Sequence, residues 1–334
     1  MARIHGISGS TRYLLNGSKS INGKRLATLE EIIHFQSNYE EILIETKIAA
    51  GKRQDEIILS LSDRETNLDQ QLQDDINKRT REVYTHIIEI NDRIVASDSF
   101  FVILAYLIQF WGANLISSYR IHLPLIGQKW NLWRLRKRKE KTIADKPHMI
   151  KSACKNITDT QQFLSYNNSF LIGADGEEHV ISVLSQLPDE FHILNDVNLH
   201  FFDSIYWRER RERIRNCQID HLVIGPTGIF LLETKNWKRS DIKIKSDDLK
   251  RQVRRANYAL WYFLKDHYGF FEKSPKIRNV VVSLHGSEPD MRIDKYIDVI
   301  SPYRLCGYIT ARESTLSEVS IHKLIRLIPC REGN

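Results

Sequence analysis

Cysteine is scarce in this chain, and the spacing of the four cysteines excludes a zinc knuckle and a dithiol redox motif. None of the four cysteines forms a Cys-x-x-Cys pair. Zinc knuckles and dithiol redox motifs use such pairs, and disulfide scaffolds hold far more cysteine per residue. We therefore expect reduced thiols in a cytoplasmic protein. The four cysteines are Cys154, Cys217, Cys306 and Cys330.

Residues 1–26 lack both a long apolar run and apolar periodicity, and they are rich in glycine, serine and asparagine. A secretory signal needs a continuous apolar segment near its start, so we expect no cleaved signal here. Small polar residues without periodicity do not define a buried face. The composition therefore predicts a flexible arm over residues 1–26.

Proline is absent from residues 27–96, and Gly51 is the one glycine there. That absence predicts helix over residues 27–98. Beyond Gly51 an apolar stripe recurs every 11 residues, a spacing that keeps one helix face aligned over many turns. Two structures fit the stripe: a coiled coil that joins copies into a homo-oligomer, which we expect, or an amphipathic helix packed within its own domain. The stripe consists of Leu61, Leu72, Val83 and Ile94.

Charged residues are absent from residues 100–118, the most apolar stretch of the chain. Its length approaches that of a membrane-spanning helix. Basic residues follow, and such a flank faces the cytoplasm when a span is present. Residues 99–135 therefore have three interpretations: a span, a segment lying on the inner face of the cell membrane, or a buried helix. The basic and polar residues 136–168 predict a linker.

Residues 169–330 alternate between strand and helix patterns, which predicts an α/β domain. Within 218–237, two apolar runs flank a Gly-Pro-Thr-Gly turn at 225–228. This pattern predicts a β-hairpin with Asp220 and Glu233 at the same end. Lys235 follows Glu233 by two residues, so both side chains should point to one face of the strand.

Two carboxylates and a lysine at one end of a sheet suit phosphodiester hydrolysis. Carboxylate oxygens are preferred ligands of Mg²⁺ or Mn²⁺, and such an ion polarises a phosphate. A lysine beside it orients or deprotonates the attacking water. The alternative is an exposed hairpin end in which Glu233 and Lys235 form a simple salt bridge.

The order of motifs along this domain helps to distinguish a hydrolytic site from a simple salt bridge. Gly176-Glu177 precedes an apolar helix at 179–187, Ile219-Asp220-His221 precedes the turn, Glu233-Thr234-Lys235 follows it, and Gln252 lies in a helical stretch at 248–265. This order resembles the nuclease-related domain, NERD, a branch of the PD-(D/E)xK phosphodiesterase superfamily. The resemblance covers about residues 170–310 and does not extend to residues 1–150.

The resemblance implies a fold and a set of site residues. The fold is α/β: a restriction-endonuclease-like mixed sheet flanked by helices, here preceded by the long helical N-terminal region. Asp220 and Glu233 would be the main ligands of Mg²⁺ or Mn²⁺, and Glu177 a further acidic ligand. Lys235 would be the catalytic lysine. Gln252 would line the site from the following helix.

Alternatives remain for three positions near this site. Glu178 is the neighbouring rival of Glu177, although the Gly-Glu pair favours Glu177. Gln252 also fits a solvated helix residue. His221 follows Asp220 in a strand, so its side chain should face away from the site and serve the core.

The charge balance suits a polyanion. The chain carries 49 Lys and Arg against 42 Asp and Glu, although such an excess also serves solubility. An arginine-rich insertion at 201–216, expected to be a loop, and the region after Lys235 place basic residues around the predicted site. The expected nucleic-acid contacts are Arg208, Arg210, Arg211, Arg213, Arg215, Trp237, Lys238, Arg251 and Arg255.

Two functions fit these observations. The first is a Mg²⁺-dependent nuclease acting on DNA, in an architecture that suits defence against foreign DNA. The second is a catalytically inactive nucleic-acid-binding or membrane-associated scaffold with a nuclease-like fold. The complete set of Asp220, Glu233 and Lys235 favours the first, because a binding domain has no chemical need for all three.

Overall fold

The computed structural model describes residues 1–236, 246–267, 276–285 and 291–330. The chain divides into two compact units. One consists of residues 1–39 and 156–334, and the other of residues 40–155. The first holds the sheet, and the second is helical.

The helical unit is built from long helices. α3 spans Tyr39–Val95, α4 spans Phe100–His122, and α5 spans Ile126–Tyr166 after a 3₁₀ turn at Leu123–Leu125. The short helix α2, Leu29–Ser37, and the end of α5 belong to the first unit. The helix predicted over residues 27–98 is therefore confirmed as α2 and α3.

The linker predicted at 136–168 is wrong, because α5 runs through most of it. The basic residues that suggested a solvated segment pair with acidic residues of α3. Arg136 Nε and Lys139 Nζ lie 2.8 and 2.9 Å from the Glu65 carboxylate oxygens, and Lys146 Nζ lies 2.5 Å from Asp55 Oδ1. These pairs support helix where the local composition alone did not predict it.

The 11-residue stripe of α3 is covered by the same chain. Leu72 packs against Leu125 and Leu132. Further along, Val83 and Ile94 belong to a second apolar cluster formed with residues of α4. The stripe is thus accounted for within one chain, as in the amphipathic-helix alternative. A homo-oligomer through residues 27–98 stays a prediction.

Residues 100–118 lie in α4. Among the described residues, one helical stretch, Phe100–Tyr166, contains a window long and apolar enough to cross a membrane. Only 6% of that window is buried. Most of that window is therefore exposed in the described chain, and membrane contact through residues 100–118 stays a prediction.

Seven strands of the described chain form one mixed sheet, in the order β1-β2-β3-β4-β5-β7-β6. The pairs β1/β2, β4/β5 and β5/β7 are parallel, and the other three are antiparallel. The strands are β1 Arg3–His5, β2 His192–Trp207, β3 Glu212–Gly225, β4 Gly228–Lys235, β5 Ile277–Ser283, β6 Met291–Asp294 and β7 Ile297–Ile300.

Helices cover both faces of this sheet, which confirms the predicted α/β class. α7 (Ser246–His267) and α9 (Glu318–Leu327) pack on the face that carries Leu222 and Leu231. α6 (Asn168–Leu184) and α8 (Pro302–Thr310) pack on the face that carries Val223 and Phe230. Strand residues alternate between these two cores because side chains in a strand alternate between its faces.

The flexible arm predicted over residues 1–26 is wrong, since its first part belongs to this unit. β1 extends the sheet beside β2, and α1 (Gly9–Gly17) follows it. Ser8 Oγ caps α1 by accepting a hydrogen bond from the Thr11 amide, and Leu14 is fully buried. A largely buried ion pair joins Arg12 to Asp196. These partners lie far away in the sequence, so composition near the N-terminus did not reveal them.

Candidate active site

The β3–β4 hairpin brings the two predicted carboxylates together. Gly225 pairs with Gly228 at the turn, and Gly228 has a φ of 127°, a conformation that favours glycine. His221 pairs with Leu232, so Asp220 and Glu233 come next to each other at the far end. The amide of Thr234 donates a hydrogen bond to Asp220 Oδ2 at 3.1 Å. The hairpin prediction is confirmed, and its backbone orients one of the carboxylates.

Glu233 is the centre of the site. Lys235 Nζ lies 2.6 Å from Glu233 Oε1, and the Gln252 amide donates a hydrogen bond to the same oxygen. Gln252 comes from α7, the helix packed on this face of the sheet. Glu233 is 2% exposed, so this pair differs from the exposed salt bridge of the alternative interpretation. Lys235 and Gln252 thus both contact Glu233 Oε1, and their catalytic roles stay predictions.

Burial gives this cluster unusual electrostatics. The pKa of the Asp220 carboxyl is raised above its ordinary value, first by burial and then by the nearby Glu233 carboxylate. Lys235 and the Thr234 amide act in the opposite direction. Two carboxylates in a poorly solvated place repel each other, and a cation between them relieves that repulsion.

Glu177 approaches from the opposite face of the sheet, on α6. A Cβ at the preceding Gly176 would lie 2.5 Å from Leu284 Cδ1, so a larger residue there would displace the Leu284 side chain. Burial, together with the charge of Asp220, raises the pKa of Glu177 to about 7. Glu178, its rival, instead accepts a hydrogen bond from the Thr11 hydroxyl. Of the two, Glu177 is the one on which the charge of Asp220 acts.

Ser10 is a site residue that sequence reasoning missed. Its hydroxyl donates to Glu177 Oε1 at 2.6 Å, and its amide donates to Glu177 Oε2 at 3.3 Å. Both oxygens of this carboxylate are therefore oriented by the start of α1. The Ser8 cap was a local signal for a helix, but no signal connects Ser10 with a residue 167 positions away.

The donor set fits a hard divalent cation at Asp220 and Glu233. Mg²⁺ is commonly held by one or two carboxylates together with waters and substrate phosphate oxygens. Across the described residues, no three His, Cys, Asp or Glu side chains are grouped closely enough to hold a metal. Glu177, oriented by Ser10, does not complete a three-carboxylate cluster with Asp220 and Glu233.

His221 lies on the other side of its strand, as predicted. It is fully buried, and its Nδ1 lies 2.8 Å from the Asn195 side-chain oxygen. Burial lowers the pKa of His221 to about 3. A neutral imidazole in this position contributes to the core and does not reach Glu233.

The arginine-rich insertion is a β-hairpin extension, so the prediction of a loop at 201–216 is wrong. β2 and β3 continue past the core as a pair, with Trp207 opposite Glu212. Alternate residues stay buried there, including Ile205 and Ile214, which gives this extension a core side and a solvent side. The arginines on its solvent side are Arg208, Arg210, Arg211, Arg213 and Arg215, all exposed.

The other four predicted nucleic-acid contacts follow the hairpin extension in the sequence. Arg251 and Arg255 of α7 both pair with Glu212 of the hairpin extension, at 3.0 and 2.9 Å. They connect α7 with the extension next to the site. Trp237 and Lys238 lie outside the described residues.

Comparison with known proteins identifies a family for the region that contains this site. No curated protein and no solved structure matched the chain. One family did: residues 172–283 match the family described as nuclease-related domain, NERD. The matched range begins in α6 and ends with β5, and it contains Glu177, Asp220, Glu233, Lys235 and Gln252. Residues 172–283 of this chain are therefore a nuclease-related domain.

Proposed function

We propose that this domain is a metal-dependent nuclease of the PD-(D/E)xK type that hydrolyses phosphodiester bonds of DNA. The observation that carries the proposal is the contact of Lys235 Nζ with the buried Glu233 carboxylate, beside Asp220 at the end of one hairpin. Placing a mostly shielded lysine and a buried carboxylate side by side is costly unless their charges pair, and Lys235 and Glu233 pair beside Asp220. Phosphodiester hydrolysis uses all three.

Asp220 and Glu233 are the residues that would hold Mg²⁺ or Mn²⁺. The cation supplies Lewis-acid polarisation of the scissile phosphate. The backbone amide of Thr234 keeps the Asp220 carboxylate in place, and Gln252 does the same for Glu233. Both carboxylates thus keep their orientation before any substrate arrives, which lowers the cost of reorganisation during the reaction.

Lys235 has the role of positioning the attacking water and stabilising charge that builds on the phosphate. Its ammonium is anchored by Glu233 and is mostly shielded from solvent, with a side-chain exposure of 17%. A cation in such a place interacts more strongly with a developing negative charge than one in open water. Glu177 adds a further negative group beside Asp220.

DNA would be held by the exposed arginines of the hairpin extension. Phosphate contacts of this kind give affinity that falls steeply with salt and carries little sequence information. We therefore expect weak sequence preference. A role in defence against foreign DNA remains a prediction from the domain arrangement.

The alternative is a scaffold that binds DNA without cutting it. The exposed arginines of the hairpin extension fit it equally well, because phosphate contacts do not need the carboxylates. The two functions differ in one outcome, which is metal-dependent strand cleavage.

The test uses the full chain with supercoiled plasmid, linear duplex DNA and RNA, in Mg²⁺, in Mn²⁺ and in EDTA. We expect nicking or cutting of DNA with either metal and none in EDTA. Glu233→Gln should abolish it, whereas Glu318→Gln, an exposed glutamate of α9, should not. DNA binding without cleavage under every condition would support the scaffold instead.

A further inference from the structure

Helix α4 has two faces of different character. Its inner face packs on α3, where Tyr106, Phe110 and Ala113 join a cluster with Ile87 and Ile90. Its outer face is open to solvent over the described residues. Large apolar side chains lie there with exposures between 67% and 80%: Phe101, Ile108, Trp111, Leu115 and Tyr119.

This outer face is unusual for a surface in water. Single exposed apolar side chains are common, but a contiguous group of this size marks a binding surface for another apolar body. The core of a soluble protein does not explain it, because only 6% of the apolar window is buried. The surface needs an occupant that is itself apolar and extended.

Charge around α4 indicates which occupant fits. Residues 99–139 contain no Asp or Glu and seven Lys or Arg, of which Arg136 and Lys139 pair with Glu65 and Lys137 with Glu140. The same segment contains Trp111, Trp130 and Trp133, half of the tryptophans in the chain. Tryptophan prefers the boundary between lipid and water, and clustered basic residues attract anionic headgroups. A second copy of this chain would instead bring like charges together.

The packing of α3 against α4 limits the ways in which α4 can bind a bilayer. α3 covers the inner face of α4 and carries Glu82, Glu89, Asp92 and Arg93 along the same stretch. If α4 crossed the bilayer with α3 attached, these ionisable side chains would enter the hydrocarbon, at high cost. An interfacial position avoids this cost, because the outer face enters the lipid while α3 stays in water.

We propose that the outer face of α4, with the basic residues that follow it, lies on the surface of an anionic lipid bilayer without spanning it. This inference rests on the helical unit and is independent of the proposed nuclease activity. It selects one of the interpretations that the sequence left open for residues 99–135.

The test is flotation of the full-length protein with vesicles. One set is phosphatidylcholine alone, and the other is an equal mixture of phosphatidylcholine and phosphatidylglycerol. We expect binding to the anionic vesicles that weakens with salt and is released by alkaline carbonate. Trp111→Ser with Leu115→Ser should reduce partitioning at least roughly tenfold, because large apolar side chains no longer enter the lipid.

The matched control is Ile48→Ser with Leu59→Ser on α3, at 53% and 63% exposure, which should bind as wild type does. Circular dichroism checks that each variant remains helical. Failure of the wild type to bind either vesicle would overturn the proposal, and so would resistance to carbonate extraction, which marks a span. Self-association in light scattering that the α4 variant abolishes, without vesicle binding, would assign the face to a second copy.

Discussion

At the scale of single residues, Glu233 determines the character of the site. It accepts hydrogen bonds from both Lys235 and Gln252 and has almost no solvent contact. Two donors compensate for the cost of burying a carboxylate, and they also fix its orientation. Glu233 is therefore a group whose replacement should affect chemistry more than folding.

Ser10 yields the first prediction at this scale, and it rests on the proposed function. Ser10→Ala removes the hydroxyl that orients Glu177, so cleavage should fall about tenfold, in line with the loss of one hydrogen bond to a charged group. The pH at which cleavage reaches half of its maximum should also rise, because the Ser10 hydroxyl lowers the pKa of Glu177. Ser10→Thr should restore both, and Ser165→Ala, an exposed serine of α5, should change neither. An unchanged rate and pH profile in Ser10→Ala would show that Ser10 serves packing alone.

His192 yields a prediction about pH. Burial, with His5, Arg3 and His322 nearby, lowers the pKa of His192 to about 4 from an ordinary value of 6.5. Between these values the unfolded chain binds a proton that the folded chain does not. The free energy of unfolding should therefore fall as pH is lowered from 7 towards 5.

Urea denaturation at pH 7 and at pH 5 measures this effect. The midpoint should drop more for wild type than for His192→Gln. His179→Gln, an exposed histidine in the same unit, should follow the wild type. Equal drops in all three proteins would mean that His192 does not contribute to the pH dependence.

At the scale of elements, the hairpin extension and α7 form a linked pair. Glu212 neutralises Arg251 and Arg255, and this pairing lowers the pKa of Glu212, with Arg251 the larger cause. Glu212→Gln should remove the neutralising charge from both arginines, and Arg255 should keep its hydrogen bond to the Asn216 carbonyl oxygen. DNA affinity should then rise, and the slope of log K against log salt should steepen by up to about two.

Fluorescence anisotropy over a range of salt concentrations tests that prediction. Glu313→Gln, an exposed glutamate away from the extension, serves as the control. A Glu212→Gln protein with the wild-type slope would show that Arg251 and Arg255 do not reach DNA even when released.

The stripe of α3 yields a prediction about assembly. Leu72→Ala should cost about 2–5 kcal/mol of stability, since Leu72 is buried against Leu125 and Leu132. Leu59→Ala, at an exposed position of the same helix, should cost little. Light scattering should give the same mass for both variants and wild type. A loss of mass in Leu72→Ala alone would assign the stripe to a homo-oligomer.

At the scale of the whole molecule, what could be predicted from the sequence depended on distance along the chain. The β3–β4 hairpin was predictable because its turn and both apolar runs lie within one short segment. The closeness of Asp220 and Glu233 followed from the hairpin, the shared face of Glu233 and Lys235 followed from alternation along the strand, and their proposed roles came from the family resemblance. Such sequence patterns indicate contacts between residues that lie close together in the sequence. The central side chains of the site, Asp220, Glu233 and Lys235, all come from one short segment.

Contacts between distant segments were not predictable in the same way. Ser10 reaches Glu177 across 167 positions, and Lys139 reaches Glu65 across 74. Their local compositions indicated a flexible arm and a linker, because polar residues show the same pattern whether they face water or a partner. The partner becomes visible only once the fold brings the segments together.

The most direct measurement of the central claim is the single-turnover rate of DNA cleavage by Lys235→Ala, with DNA affinity measured on the same protein. We expect a rate lower by about 10²–10⁴, with near wild-type affinity and folding, because a positioned charge is lost while the hairpin core remains. Lys19→Ala, an exposed lysine outside the site, should cut as the wild type does. A Lys235→Ala protein that cuts DNA at the wild-type rate would contradict the account.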